Sequence, residues 1–183
     1  MNLPTLATER LKLRPLRSSD LERLELLCGN YEVSKMLSRV PHPYDRVQGE
    51  AYLKKTEEIA QDWRRFGQAD FAVSQEGQLI GVIVLRELQE APGIGYWLGE
   101  PYWRKGYMTE ALAAALRWVF AATGIKSLRA EVMKDNAGSK NVLKKLGFTV
   151  VGDGASMSLA RGNVAENWHM ELVRQNFKSP VST

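Results

Sequence analysis

Cysteine is almost missing from this chain. Cys28 is the one cysteine in 183 residues, which excludes an internal disulfide and any cysteine-rich zinc site. Long apolar runs are missing too, and nothing approaches the ~20 residues of a membrane span. The first residues do not read as a secretory signal, because Glu9, Arg10, Lys12 and Arg14 stand where an apolar core would have to be. There is no basic run and no basic–aromatic repeat, so nucleic acid is not an expected partner. No residues show a metal-ligand spacing, so no metal is expected. Internal repeats, low-complexity stretches and linkers are absent as well. These exclusions leave a soluble cytoplasmic protein, and at ~100–200 residues per domain the length predicts one domain.

What is present is ordinary globular material, 44% apolar and 25% charged. The net charge of +4 is unevenly spread. Residues 1–90 carry 13 Lys/Arg against 14 Asp/Glu, whereas residues 91–183 carry 12 against 7. An anionic partner is therefore expected at the C-terminal half, and a small polyphosphate fits so modest an excess better than a nucleic acid does.

Periodicity supplies the elements. Arg10 to Leu16 alternates, with Leu11, Leu13 and Leu16 on one side and Arg10, Lys12 and Arg14 on the other, as in a half-buried strand. Ser19 and Glu22 have capping-box spacing ahead of Leu21, Leu24, Leu27 and Cys28, with Asp20, Glu22 and Glu25 as the solvated side of that helix. After Pro41 and Pro43, a helix is predicted from Val47 to about Phe66, stopped at Gly67. Phe71–Val73, Leu79–Leu85 and Ile94–Leu98 predict an antiparallel meander whose apolar middle strand is buried on both faces. Met108, Ala111, Leu112, Ala115, Leu116, Val119 and Phe120 form the stripe of a helix from Gly106 to Thr123, ended by Gly124. A strand over Leu128–Val132, a helix over Asn136–Leu146, and strands over Phe148–Val151 and Trp168–Val173 complete a mixed α/β (α+β) order.

The sharpest local feature runs from Trp97 to Ala111, out of a strand, through a short loop with two cations and a glycine, and into an amphipathic helix. The first turn of a helix has free N–H groups and the positive end of the dipole, a ready site for phosphate oxygens. Gly106 lets a ligand approach the backbone, and Arg104 and Lys105 add charge. The same pattern also describes a plain strand-to-helix turn with surface cations.

This stretch resembles the acyl-CoA pyrophosphate loop of the GNAT N-acetyltransferases, in the branch that contains the RimJ/RimL-type ribosomal-protein N-terminal acetyltransferases. That family's loop reads Gln/Arg-x-x-Gly-x-Gly/Ala, and Gly106 takes its central glycine within Trp103–Met108. The run from Asp135 to Phe148 is similar to the family's Asn-x-x-Ser helix and Leu-Gly-Phe exit, through Asn136, Ser139 and Leu146-Gly147-Phe148. The Thr8–Arg14 strand is similar to the branch's usual opening. The resemblance implies a single GNAT-like, acetyl-CoA-dependent N-acetyltransferase domain over residues 1–183, with a central mixed, mostly antiparallel sheet flanked by helices on both faces. It implies acetyl-CoA as co-substrate and carries the cofactor contacts onto Trp97, Leu98, Gly99, Arg104, Lys105, Gly106, Tyr107, Met108, Thr109, Asn136, Ser139, Asn141 and Lys144. Read without the resemblance, Asn136 is a helix N-cap.

The implied reaction moves an acetyl group from acetyl-CoA to a primary amine, either a protein N-terminus or a small molecule. A neutral amine must attack the thioester, so a proton has to leave the nitrogen and charge has to be stabilised on the sulfur. Ser139 takes the position that serves the sulfur in the Rim-type branch. The Tyr that many GNAT enzymes place seven residues after the helix Asn is Leu143 here. Glu100 and Glu87 remain as carboxylates for the base, since Ser156-Met157-Ser158-Leu159 offers none. A catalytically silent acyl-CoA-binding or sensor domain of the same fold is the second reading. Monomer and homodimer are both open.

Overall fold

The chain opens on a short hairpin, β1 (Leu6–Ala7) and β2 (Lys12–Pro15), in a computed structural model that describes residues 1–179; the last four positions of the expected domain lie outside the described residues. Leu11 and Leu13 face inward as their alternation predicts, but Arg14 does not face solvent. It is 3% exposed and grips Asp20 with two bonds, Nη1 to Oδ2 at 2.8 Å and Nη2 to Oδ1 at 2.7 Å. Asp20 also accepts the Arg17 N–H, so it closes the turn ahead of α1 (Leu21–Cys28), and the expected box of Ser19 and Glu22 does not form. Leu16 lies past the last paired residue of β2, where alternation no longer holds, and packs with Leu21 and Leu24 on the opposite face from Leu13.

α2 (Tyr31–Ser34) is a single turn capped by Asn30, too short to leave a period in the sequence. α3 (Arg46–Gln61) starts at a capping box of Asp45 and Gln48. The helix expected to reach Phe66 breaks at Asp62, whose φ of −149° and ψ of 69° are not helical, and α4 (Trp63–Phe66) resumes in a new direction before Gly67 stops it.

β3 (Ala69–Gln75), β4 (Gln78–Arg86) and β5 (Gly93–Leu98) form the predicted antiparallel meander. β4 is buried on both faces. Ile80, Ile83 and Leu85 join Leu13, Phe71, Leu112 and Leu116 on one side, and Leu79 and Val82 join Leu16, Leu24 and Leu53 on the other. α5 (Tyr107–Thr123), β6 (Ser127–Met133), α6 (Ala137–Lys145), β7 (Thr149–Ser158) and β8 (Asn163–Val173) follow. The sheet order is β1-β2-β3-β4-β5-β6-β8-β7, antiparallel throughout except for β5 with β6. α1 and α3 cover one face and α5 and α6 the other, so this is a mixed, mostly antiparallel sheet with helices on both sides. The last hairpin is much longer than its apolar residues predict. Gly152, Gly154 and Ser156 pair along it but have no apolar period to announce a strand. Among the described residues, no helix is long and apolar enough to cross a membrane.

Candidate active site

The parallel pair is where the sheet opens. β5 and β6 share one registered pair, Gly93 with Arg129, supported by the Arg129 N–H to the Pro92 carbonyl at 2.8 Å. Beyond it the strands separate, so β6 does not pair with the edge of β5 from Ile94 to Leu98. The result is a slit in the sheet, with α5 leaving from the end of β5 and α6 from the end of β6.

Trp97, Leu98 and Gly99 lie at the open end of β5. The Leu98 carbonyl is already taken by Trp103 Nε1 at 2.6 Å, which ties the loop back onto the strand. Gly99 packs closely on Leu27, since a Cβ there would come 2.7 Å from Leu27 Cδ2 and the leucine would have to shift. Glu100 opens the 3-10 turn Glu100–Tyr102, exposed, and accepts a 2.5 Å bond from Asn30 Nδ2, joining the mouth of the slit to the turn before α2.

Arg104 (φ 61°) and Gly106 (φ 79°) swing the chain through left-handed geometry into α5. Gly106 is the N-cap and has no side chain to offer. The first helical bond is Glu110 N–H to Gly106 O at 3.1 Å, which leaves the N–H groups of Tyr107, Met108 and Thr109 as the free donors of a helix start. The Met108 side chain is in the core, so only its backbone can meet a ligand. The side chains of Arg104 and Lys105 are exposed beside this turn.

The loop is braced from behind by the N-terminal hairpin. Arg10 Nη1 donates to the Lys105 carbonyl at 3.0 Å and Arg10 Nε to Glu110 Oε2 at 2.7 Å. Glu110 Oε1 also accepts from Thr8 Oγ1 at 2.6 Å and from the Arg10 N–H at 2.9 Å. Burial works against charge on Glu110, but these donors outweigh it and hold its carboxyl below the usual range. Tyr107 is fixed between the Arg10 guanidinium, 4.6 Å from its ring, and Gln75, which donates to its hydroxyl at 2.6 Å.

Across the slit, Asn136 caps α6 by accepting the Ser139 N–H at 3.0 Å. Ser139 is also reached from β5: the Tyr96 hydroxyl lies 2.7 Å from Ser139 Oγ and 3.2 Å from its carbonyl oxygen. Burial pushes the Tyr96 phenol far above its ordinary value, so it stays protonated. Sequence reasoning missed Tyr96. The available signal was its place between Ile94 and Leu98 on the inward side of β5, where a tyrosine hydroxyl needs a partner.

One predicted residue is not brought here. Glu87 is exposed, just past the Arg86–Gly93 pair, in the β4–β5 turn. That is the joined end of β5 and β6, opposite the mouth. Lys144 is on the α6 stripe shared with Lys140, whose ammonium lies 3.9 Å from the Trp168 ring centre of β8. It lines a shallow hollow with Gly147, Thr149 and Lys178. Asn141 is exposed about a quarter-turn round the helix from Lys140. Asp20, expected in solvent, is the buried partner of Arg14.

A strap that the sequence did not announce completes the site. Arg161, in the β7–β8 turn, holds both oxygens of Asp135, Nη1 to Oδ2 at 2.8 Å and Nη2 to Oδ1 at 3.1 Å, and donates from Nε to the Lys35 carbonyl at 2.6 Å. The Leu159 N–H to Ser38 O bond at 3.1 Å continues it. The segment after α2 is thus tied to the residue preceding Asn136. The Arg161 bonds also keep the Asp135 carboxyl below its usual range. Among the described residues, no group of three or more His, Cys, Asp or Glu gathers to hold a metal ion.

The slit and the uncapped helix start can be set against known proteins. The family model for the acetyltransferase (GNAT) domain matches residues 10–149. An N-acetyltransferase of Bacillus licheniformis is 25% identical over 181 residues, 96% of this chain and 99% of its own. The spermidine N(1)-acetyltransferase of Escherichia coli K12 is 25% identical over 146 residues, 78% of this chain and 75% of its own. In three dimensions, RimJ of Mycobacterium smegmatis in complex with CoA-disulfide shares the fold, with a TM-score of 0.80 at 20% identity over 94% of this chain and 88% of that one. Because the matched span runs unbroken from the hairpin that braces the α5 loop to the exit of α6, the chain belongs to the GNAT acetyltransferases, enzymes that transfer the acetyl group of acetyl-CoA to an amine.

Proposed function

We propose that the start of α5 receives the pyrophosphate of acetyl-CoA and that the thioester lies in the slit between β5 and Ser139. The observation that carries this reading is the pairing of a helix start without a side-chain cap with a cationic loop braced from behind. The N–H groups of Tyr107, Met108 and Thr109 would serve the phosphate oxygens, and Arg104 and Lys105 would add charge. Trp97, Leu98 and Gly99 would run beside the pantetheine arm, and Asn136 would lie along its other side. Ser139 would meet the sulfur. Glu100, at the mouth and already bonded to Asn30, is the carboxylate best placed to meet an incoming ammonium; Glu87, at the joined end of the slit, leaves the set.

The acceptor is a primary amine, on a protein N-terminus or a small molecule such as the polyamine handled by the spermidine relative. We read the whole chain as one such domain, cytoplasmic, and acting as a monomer or homodimer.

Titration calorimetry with acetyl-CoA, with NAD and ATP as controls, tests the cofactor site. Binding of acetyl-CoA alone is expected, followed by thiol release when a primary amine is added. Binding without turnover on a panel of peptides, polyamines and amino acids would return the chain to the sensor reading. No binding would overturn the assignment of the α5 start.

A further inference from the structure

The contact between Tyr96 and Ser139 spans the slit, joining β5 to the helix that follows β6, and both of its groups are hydroxyls. Each has one proton to give. If Ser139 donates to Tyr96, both protons are used internally, the tyrosine's going to the Ser139 carbonyl oxygen at 3.2 Å. If Tyr96 donates to Ser139 Oγ at 2.7 Å, the serine proton is left for a third group. We propose that Tyr96 is a positioning residue for the departure of the thiol: it donates to Ser139 Oγ and so commits the Ser139 proton to the sulfur.

This rests on the reading in which Ser139 meets the thioester sulfur. The amine nitrogen bonds to the carbonyl carbon, the carbon–sulfur bond breaks, and the sulfur keeps the electron pair. The nitrogen sheds one proton to water, and water returns one to the sulfur. During that interval Ser139 hydrogen-bonds the developing thiolate. A serine at its ordinary pKa is a poor proton source for a thiolate, so the hydrogen bond itself has to be good. One accepted from Tyr96 polarises the serine O–H and strengthens the bond it donates. The remaining contacts of Ser139 keep it in place, since Asn136 holds its N–H and so fixes the first turn of α6. Tyr96 never ionises in this scheme; burial keeps it a neutral donor across the working pH range.

The test compares wild type, Tyr96→Phe, Ser139→Ala and the double variant by kcat, and by acetyl-CoA affinity from calorimetry. Tyr96→Phe should lower kcat about tenfold, the worth of one neutral hydrogen bond, with the acetyl-CoA Kd within about twofold of wild type. The pH profile should keep its shape, because the lost group does not titrate. Ser139→Ala should lower kcat at least as much, and the double variant should be no slower than Ser139→Ala. Ser139→Thr keeps the hydroxyl and should remain sensitive to Tyr96→Phe; it also serves if Ser139→Ala folds poorly. Losses that multiply in the double variant, a full-speed Tyr96→Phe, or a Kd that moves as far as kcat would each overturn the positioning role alone. An unaffected Ser139→Ala would remove both the serine and its tyrosine. A wild type that fails to bind acetyl-CoA would defeat the underlying reading instead.

Discussion

The two helices that leave the parallel strands begin in opposite ways. α5 starts at Gly106, in left-handed geometry, with no side chain to satisfy its first N–H groups. α6 starts at Asn136, whose carboxamide takes the Ser139 N–H. The surroundings differ in sign as well. Exposed Arg104 and Lys105 lead into α5, whereas Asp135, held by Arg161, leads into α6. A helix start whose cap side chain takes one of its N–H groups is less open to an anion than one without such a cap. On the proposed reading, the same backbone chemistry serves once to hold a ligand's charge and once to fix the placement of a serine. Opposite ends of the chain hold the two sides: Thr8 and Arg10 brace α5, and Arg161 of the last hairpin braces the approach to α6.

Changing each start tests the contrast, and the largest effect belongs to α5. Gly106→Glu adds a carboxylate at the positive end of the dipole and puts a side chain at φ 79°. Repulsion between that carboxylate and a pyrophosphate at contact range is worth roughly 3 kcal/mol, so acetyl-CoA affinity should fall at least about 100-fold, while the strain weighs on stability. Gly106→Ala keeps only the strain, and its Kd should move far less. Wild-type affinity in a folded Gly106→Glu protein would sink the anion site.

Glu110→Gln should come next, lowering stability by about 2 kcal/mol in urea at neutral pH, since three donors lose a charged acceptor. The folded pKa of Glu110 is below its ordinary 4.5. Its contribution is therefore complete above that value and is lost as pH falls through the folded pKa. The gap between wild type and Glu110→Gln should be constant from pH 6 to 8 and close below about pH 4.5; a gap that persisted at low pH would show that charge is not what Glu110 supplies.

Asn136→Ala removes the cap of α6 and should cost about 1 kcal/mol of stability. It should lower kcat more than acetyl-CoA affinity, the reverse of the split expected at Gly106. If both starts gave the same split, the contrast between them would be lost. Arg161→Ala should be mildest in stability, under about 1 kcal/mol, because its carboxylate partner is 56% exposed. Its effect should fall on the KM for the amine, since the strap reaches the segment after α2; a change confined to acetyl-CoA would place the strap on the wrong side.

Much of the fold was legible in local pattern. The unbroken apolar run of β4 reads as a strand buried twice, and the α5 stripe between Gly106 and Gly124 reads as a helix with its stops. The loop proposed to bind the pyrophosphate was legible for the same reason, since glycine, cations and a helix start are contiguous in the chain. What failed had partners elsewhere. Asp20 displaced the Ser19 box because Arg14 turned inward to meet it. Gly152, Gly154 and Ser156 sit in a strand because β8 pairs with them rather than because of their own propensity. Glu87 lies close to β5 in sequence, but the meander puts its turn at the joined end of the slit.

By itself, then, the sequence determined most of the elements, the family resemblance and the helix start suited to phosphate, because each is written in residues a few positions apart. Tertiary structure alone decided where β5 and β6 part, that Tyr96 meets a serine 43 positions away, and that Glu110 is gripped by an arginine 100 positions earlier. Those outcomes depend on strand register and on which helix flank faces the slit. Strand register and helix flank are settled only when distant segments pack together.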